Sequence, residues 1–369
     1  VRDGHGYNFG IDNATLHMGA YEMAKNNPDV SWEKAFKQDY GVDINFLDNR
    51  LRTTFDYYRE HRTNILLQDM TAPSYVGYAV PYANLGVVDS WGWELSLKWN
   101  DNIGKDFRYW VSVNVSYNQN EIKEKKEAPL KNDYQYEKGH RIGARYMYQF
   151  FRFYDEDTPR LYEETFGEPF PKQLVDLKDG DAVFVDLDHN GIIDDNDKTR
   201  AIGYTDDPEY IAGINCGFSY KDWEFSMQWT GAWNVSRMIE DVFRIPFKSR
   251  TGMSDGGLLQ YHIDHTWSPD NPGQDYDYPR ATWANGLNNN SLYEKDAKYL
   301  RLKTIALAYN FHADFLKRKL GINNLQIAIS GYNLLTFTPF IWGDPETRTS
   351  SAPSYPLQKT YTVSLKLNF

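Results

Sequence analysis

Apolar and polar residues alternate with a period of two along much of this chain. Tyr40, Val42, Ile44 and Phe46 are interleaved with Gly41, Asp43 and Asn45. After a turn at 48–50, Leu51, Thr53, Phe55 and Tyr57 take one parity and Arg52, Thr54, Asp56 and Tyr58 the other. Trp91, Trp93, Leu95, Leu97 and Trp99 repeat the pattern, and Phe107, Tyr109, Val111, Val113, Val115 and Tyr117 give its clearest form. It returns at 212–220, 223–229, 299–311, 325–330 and 361–369. Successive side chains of a strand point to opposite faces, so each segment predicts a β-strand with one apolar and one polar face. The first forty residues show no period and read as loop, and 145–154 reads as a short strand within the long 119–209 connection.

The connections between these nine segments alternate short and long. Three are turns of a few residues, at 48–50, 101–104 and 221–222, and the fourth short one is 316–324. The long connections include about 119–209 and 235–297. Transmembrane β-barrels combine short periplasmic turns with long extracellular loops, and their strands need about 9–11 residues to cross. A β-sandwich spaces its connections more evenly. Aromatic residues at both ends of the aliphatic 107–117 segment are what two interfacial girdles would produce. The expected fold is therefore all-β, a transmembrane antiparallel barrel. Its C-terminal end at Phe369 would face the periplasm, and the chain would enter the sheet near Ala35 from outside. Within 299–311 the parity slips, from Leu300 and Leu302 to Ile305, Leu307 and Tyr309. A bulge near Lys303 and Thr304 would reconcile the two halves, as would one end of the strand leaving the membrane. Single-chain bacterial barrels have an even number of strands, and an open edge in lipid leaves backbone groups unpaired. An odd count of nine thus calls for strands outside this chain.

Composition narrows the classes further. Mean hydropathy is −0.68 with 16% aromatic residues, and no run of some 18 apolar residues offers a helical span. A net charge of −11 argues against a nucleic-acid partner, which would want a basic face. The single cysteine, Cys216, sits on an apolar parity and reads as a small hydrophobe; it allows neither an internal disulfide nor a cysteine metal site. The opening residues have no apolar core behind their charge and do not read as a signal peptide, which points to an export signal already removed or to a piece of a longer protein.

One chemical motif is sharp. Residues 186–197 fit a twelve-residue calcium loop: Asp186, Asp188 and Asn190 at positions one, three and five, and Gly191 for the turn at six. Ile192 supplies a carbonyl at seven, Asp194 stands at nine, and Asp197 closes the loop at twelve. Aspartate at twelve is shorter than the usual glutamate, and no amphipathic helix pair is expected around it. The competing reading is an acidic turn without metal. His262 and His265 around Asp264 lack a third zinc ligand. Neighbouring carboxylates such as Glu163 with Glu164 or Asp206 with Asp207 read as solvated charge rather than a glycosidase pair. No phosphate loop, nucleophile elbow or catalytic triad is present, so no enzyme is expected. Trp267, Tyr276, Tyr278, Trp283 and Trp342 in the long loops could stack on sugar rings or meet a partner protein, against the alternative of packing within the loops.

Several ordered motifs resemble the C-terminal part of SusC/RagA-type TonB-dependent outer-membrane transporters of Bacteroidetes. They are Asn27-Pro-Asp-Val-Ser-Trp-Glu-Lys34, Gly41-Val-Asp-Ile-Asn-Phe-Leu-Asp-Asn-Arg-Leu51, Asp56-Tyr-Tyr-Arg59, the 186–197 loop and Tyr299-Leu-Arg-Leu-Lys303. Ser330-Gly-Tyr-Asn-Leu-Leu-Thr-Phe-Thr338, Asp344-Pro-Glu346 and Thr360-Tyr-Thr362 complete the set. The resemblance implies the last nine strands of a 22-stranded barrel around a plug domain in the outer membrane. It also implies import of oligosaccharides, or alternatively oligopeptides, driven by TonB under a SusD-like surface lipoprotein. Phe369 resembles the signal read by the outer-membrane assembly machinery. The plug and the TonB-contacting segment match no residues here, so TonB contact is assigned to none of them. A siderophore receptor without a lid, and a soluble extracellular carbohydrate-binding or glycosidase β-sandwich, are the rival readings.

Overall fold

The computed structural model describes residues 2–9, 15–21, 26–73, 75, 80–239, 243–244, 258–281, 288–312, 318–319, 321–347 and 357–368. Nine strands form one antiparallel sheet: β1 (Lys34–Phe46), β2 (Leu51–Gln68), β3 (Tyr82–Ile103), β4 (Phe107–Glu124), β5 (Tyr210–Tyr220), β6 (Trp223–Trp233), β7 (Tyr299–Phe311), β8 (Asn324–Phe337) and β9 (Thr360–Asn368). Their order in the sheet is their order in the chain, so the topology is a simple meander. Each of the nine alternating segments lies in one of these strands. The sheet is not closed: among the described residues β1 pairs only with β2, and β9 only with β8.

Register carries the alternation from strand to strand. Tyr220, Phe107, Trp223, Tyr309, Ile327 and Leu365 form one cross-strand line, and Cys216 stands between Val111 and Met227. On the opposite face Asn215, Ser112, Gln228 and Thr304 are aligned. The apolar face is left uncovered, with Ile329 59% and Val363 75% exposed. Soluble monomers rarely expose a contiguous apolar face of this extent. Aromatic rings bound it at both ends. At the long-connection end Trp93 is 6.2 Å from Tyr117, Tyr117 4.6 Å from Tyr210 and Tyr210 5.1 Å from Trp233. At the short-turn end Phe107 lies 5.6 Å from Phe218, and Trp223 4.8 Å from Tyr309. From Phe107 to Tyr117 the strand rises about 33 Å, or roughly 25 Å along the normal at the usual barrel tilt, which matches the apolar band of an outer-membrane barrel.

The parity slip in β7 is a bulge. Leu302 pairs with Trp229 and Thr304 with Gln228, so Lys303 is the extra residue and Leu300, Leu302, Ile305 and Leu307 share one face. The neighbouring β8 answers with its own irregularity, where Asn333 takes a left-handed backbone (φ 54°). In the two-residue turn between β5 and β6, Lys221 is also left-handed (φ 53°), the handedness that suits tight hairpins.

Three expectations need correction. The first forty residues are not all loop: Arg2–Phe9 pairs with Thr15–Tyr21 in a separate hairpin, and β1 begins at Lys34. The 145–154 segment is two short strands, Met147–Tyr148 and Phe150–Phe153, paired with Lys198–Thr199 and Ala182–Phe184 respectively. Strands β2, β3 and β4 run well past their alternating parts, through stretches such as Glu60–Asn64 that are polar on both parities.

The chain divides into two compact units: residues 1–38, 59–90 and 120–142, and residues 39–58, 91–119 and 143–369. In the first, Asn84 clamps Ser31 through two hydrogen bonds of 2.8 Å, and Asp89 pairs with His61 and Arg59. In the second, the buried core lies in the long connections rather than the sheet. One cluster is Tyr148, Ala182, Phe184 and Ile193; another is Val235, Ile239, Tyr278, Tyr293, Ala297 and Phe340.

Candidate metal centre and loop interior

The 186–197 loop leaves the short strand Ala182–Phe184 with Asp186 already buried. The Asp186 carboxylate accepts the N–H groups of Gly191 (2.7 Å) and Asn190 (3.3 Å), which winds the chain around it. That winding needs left-handed backbone at His189 (φ 58°) and Gly191 (φ 81°), and only glycine adopts the latter without strain. Asn190 Oδ1 accepts from the Ile192 N–H (2.8 Å), while the Ile192 side chain points to solvent. Asp194 caps the short turn Asp195–Asp197 through the Asn196 N–H (2.7 Å). Asp197, fully buried, reaches back to the N–H groups of Leu187 (2.8 Å) and Asp194 (2.7 Å). The result is that carboxylate oxygens of Asp186, Asp188 and Asp197 lie within 4.8 Å of one another, the one such His/Cys/Asp/Glu group among the described residues.

Electrostatics favour a cation there. Burial pushes the Asp197 carboxyl up from its ordinary range, although N–H donors pull against it, and the Asp186 charge adds to the rise. Two carboxylates about 5 Å apart repel by roughly 3 kcal/mol at an effective dielectric of 20. A divalent ion reverses the sign of that interaction, and an all-oxygen donor set suits calcium. The fit is partial: three of the expected donors converge, whereas Asp194 is outside that group and serves as a turn cap. An element not foreseen in the sequence supports the loop. Helix α1 (Thr158–Phe166) places the buried Tyr162 so that its hydroxyl accepts the Asp186 N–H at 3.0 Å.

The aromatic candidates separate. Tyr278 is buried, and its hydroxyl donates to the Phe243 carbonyl at 2.6 Å. Trp267 is largely buried too, but it lines a cavity of about 850 Å³ with Ile263, Pro269 and Arg280. Tyr276 donates to the Asn271 carbonyl at 2.6 Å. Trp342 packs on Phe340 (5.6 Å) and under Lys295 (5.1 Å), and lines a second cavity of about 510 Å³. Trp283 and Phe369 lie outside the described residues. His262 is buried against the Phe243 carbonyl and His265 stacks on Tyr261 at 3.8 Å, so the two imidazoles serve packing. Sequence reasoning did not find the buried ion pairs of the loops. Arg145 bridges Asp206 (2.8 Å) and Glu294 (2.7 Å), and Arg301 bridges Asp344 (2.9 Å) and Glu346 (3.0 Å). Burial pushes Glu294 up while Arg145 and Ser236 oppose it.

A meander with an uncovered apolar face, aromatic borders and folded long connections on one side defines a membrane β-barrel section. The chain belongs to the TonB dependent receptor-like, beta-barrel family, whose model matches residues 3–334, and its likeness is to the SusC/RagA type. It is 27% identical over 372 residues to TonB-dependent receptor P3 of Formosa agariphila, covering 93% of this chain and 35% of that protein. It is 24% identical to TonB-dependent receptor SusC of Bacteroides thetaiotaomicron, covering 93% of this chain and 32% of SusC. Among solved structures the RagAB peptide importer in its open-open state superposes with a TM-score of 0.73 at 22% identity, over 99% of this chain and 37% of that one. The chain thus spans about a third of the length of these relatives. The family is one of outer-membrane β-barrel transporters rather than enzymes.

Proposed function

We propose that this chain is the last nine strands of a 22-stranded outer-membrane barrel that imports oligosaccharides, coupled to TonB through residues outside it and capped by a SusD-like lipoprotein. The observation that carries the reading is the open meander whose apolar face, bounded by two aromatic rows, is exposed while its connections are packed. The same observation weighs against a soluble carbohydrate-binding or glycosidase sandwich, which would bury that face. Closure by further strands satisfies the unpaired edges of β1 and β9. Oligopeptide import by the same architecture is the second reading, favoured by the superposition on a protein described as a peptide importer. Purification of the full-length receptor from its native membrane tests both. A co-purifying lipoprotein and saturable binding of neutral oligosaccharides support glycan import; saturable binding of peptides alone overturns it.

Calcium is proposed as a structural ion of the 186–197 loop, held by Asp186, Asp188 and Asp197, with Asn190, Ile192 and Asp194 as the remaining donors of the motif. Its contribution is to neutralise the carboxylates of Asp186, Asp188 and Asp197 that the loop draws together.

A further inference from the structure

Beyond β8, residues 338–347 fold back against the polar face of β7. Arg301 stands on that face, paired across the sheet with Thr230 and Thr336, and is only 2% exposed. It donates through Nη2 to both Asp344 oxygens (3.0 and 2.9 Å) and through Nε to Thr336 Oγ1 (3.0 Å). Lys303 holds Glu346 at 2.9 Å, and Arg237 donates to the carbonyls of Pro345 and Thr347, each at 3.1 Å. The Thr338 hydroxyl donates to the Lys298 carbonyl at 2.8 Å, and Phe340 is buried in the loop core. These contacts make 338–347 a strap fixed at both ends. Along it lies the cavity of about 510 Å³, lined among others by Trp342, Ile341, Asn333, Thr336 and Leu357, with Lys359 at its exposed rim.

We propose that this cavity is a subsite for the imported oligosaccharide, with Trp342 as its stacking surface and the Arg301–Asp344 pair as the latch that positions it. The inference rests on the glycan-import reading above. Its volume falls in the range of small-molecule sites. Of the charged groups in its described lining, Arg301 and Asp344 are spent on one another, and Lys359 stands at the exposed rim. What remains is an indole, aliphatic side chains and neutral amide and hydroxyl groups. A pyranose ring presents an apolar C–H face and a rim of hydroxyls, which is the complement of that lining. A short peptide brings an ammonium terminus, and the carboxylate in that lining, Asp344, is already held by Arg301. Arg301 touches the strap rather than the sugar and acts as a positioning residue. A buried guanidinium without its carboxylates is strongly destabilised, so the latch keeps Trp342 in place.

The test uses the full-length receptor in detergent, titrated with maltohexaose, cellohexaose, xylohexaose and mannohexaose, and in parallel with tryptic peptides of casein. At least one sugar saturates the wild type. Trp342→Ala weakens that sugar roughly tenfold or more, whereas Trp342→Phe, which keeps a stacking ring, loses much less. Asp344→Asn weakens binding and raises hydrogen exchange within 338–347, and Asp344→Glu restores both. Should Trp342→Ala fail to assemble, Leu357→Trp, which narrows the cavity from its exposed side, is read in its place with the same expected loss. Wild-type affinity in a folded Trp342→Ala or Leu357→Trp receptor overturns the subsite and leaves glycan import standing. Casein peptides binding while no sugar does overturns both.

Discussion

Lysine in place of Ile214 is the sharpest perturbation of the lipid-facing assignment. Ile214 is paired with Val113 on one side and Trp229 on the other, midway between the aromatic rows that contain Tyr210 and Phe218. Its side chain is 38% exposed and has no polar neighbour in its cross-strand line. A lysine at the midplane of a membrane barrel costs about 2–4 kcal/mol, falling to about 0–1 near the interfaces. At about 1.4 kcal/mol per decade, this is roughly a 30- to 700-fold shift in the folding equilibrium. The adjacent Asn215 faces the other way, between Ser112 and Gln228, and Asn215→Lys is expected to stay within about 0.5 kcal/mol of wild type. The assay is denaturant-dependent refolding of the full-length receptor into phospholipid vesicles, with the folded fraction read from its heat-modifiable band. Equal midpoints for the two lysine variants would refute the facing, and with it the barrel reading of the alternation.

Other outcomes follow from single residues. Calcium is expected to protect the 186–197 loop from proteolysis, and chelation or Asp197→Ala to remove the protection while the sheet persists; unchanged cleavage with and without calcium counts against the metal. Deleting Lys303 removes the bulge and puts Leu300 and Leu302 on the polar face, so the full-length receptor should fail to reach its heat-resistant form, while Lys303→Ala, which keeps the residue count, should assemble; equal assembly of the two contradicts the register. Deleting Phe369 is expected to lower surface levels of the receptor, and normal levels would rule out its role as an assembly signal.

How far the chain could be read depended on what its environment demands of each residue. Lipid requires one apolar face, so β4, with Phe107 to Tyr117 on one parity, was legible to its first residue. Its continuation to Glu124 carries Glu121 and Lys123 on that same parity, and a strand without an apolar face has no period to detect. The Arg2–Tyr21 hairpin was missed because its alternation is short, with Tyr7 and Phe9 on one strand and Leu16, Met18 and Ala20 on the other. The 186–197 motif was legible because its carboxylates are neighbours in sequence, and Asp186, Asp188 and Asp197 do converge. Tyr162, the Arg301–Asp344 latch and the Arg145–Glu294 pair join positions far apart in the chain. Local sequence does not join such positions, although Arg301 and Asp344 each fall in a motif shared with the resembled family.

The central claim, that one face of this sheet meets lipid and the other the lumen, is tested most directly along β5. Nitroxide labels placed singly at Gly213, Ile214, Asn215, Cys216, Phe218 and Ser219 in the full-length receptor, reconstituted in phospholipid bilayers, report collision with oxygen and with a water-soluble nickel chelate. The account predicts a period of two: oxygen access dominating at Ile214, Cys216 and Phe218, and chelate access at Gly213, Asn215 and Ser219. Chelate access at all six positions would contradict it.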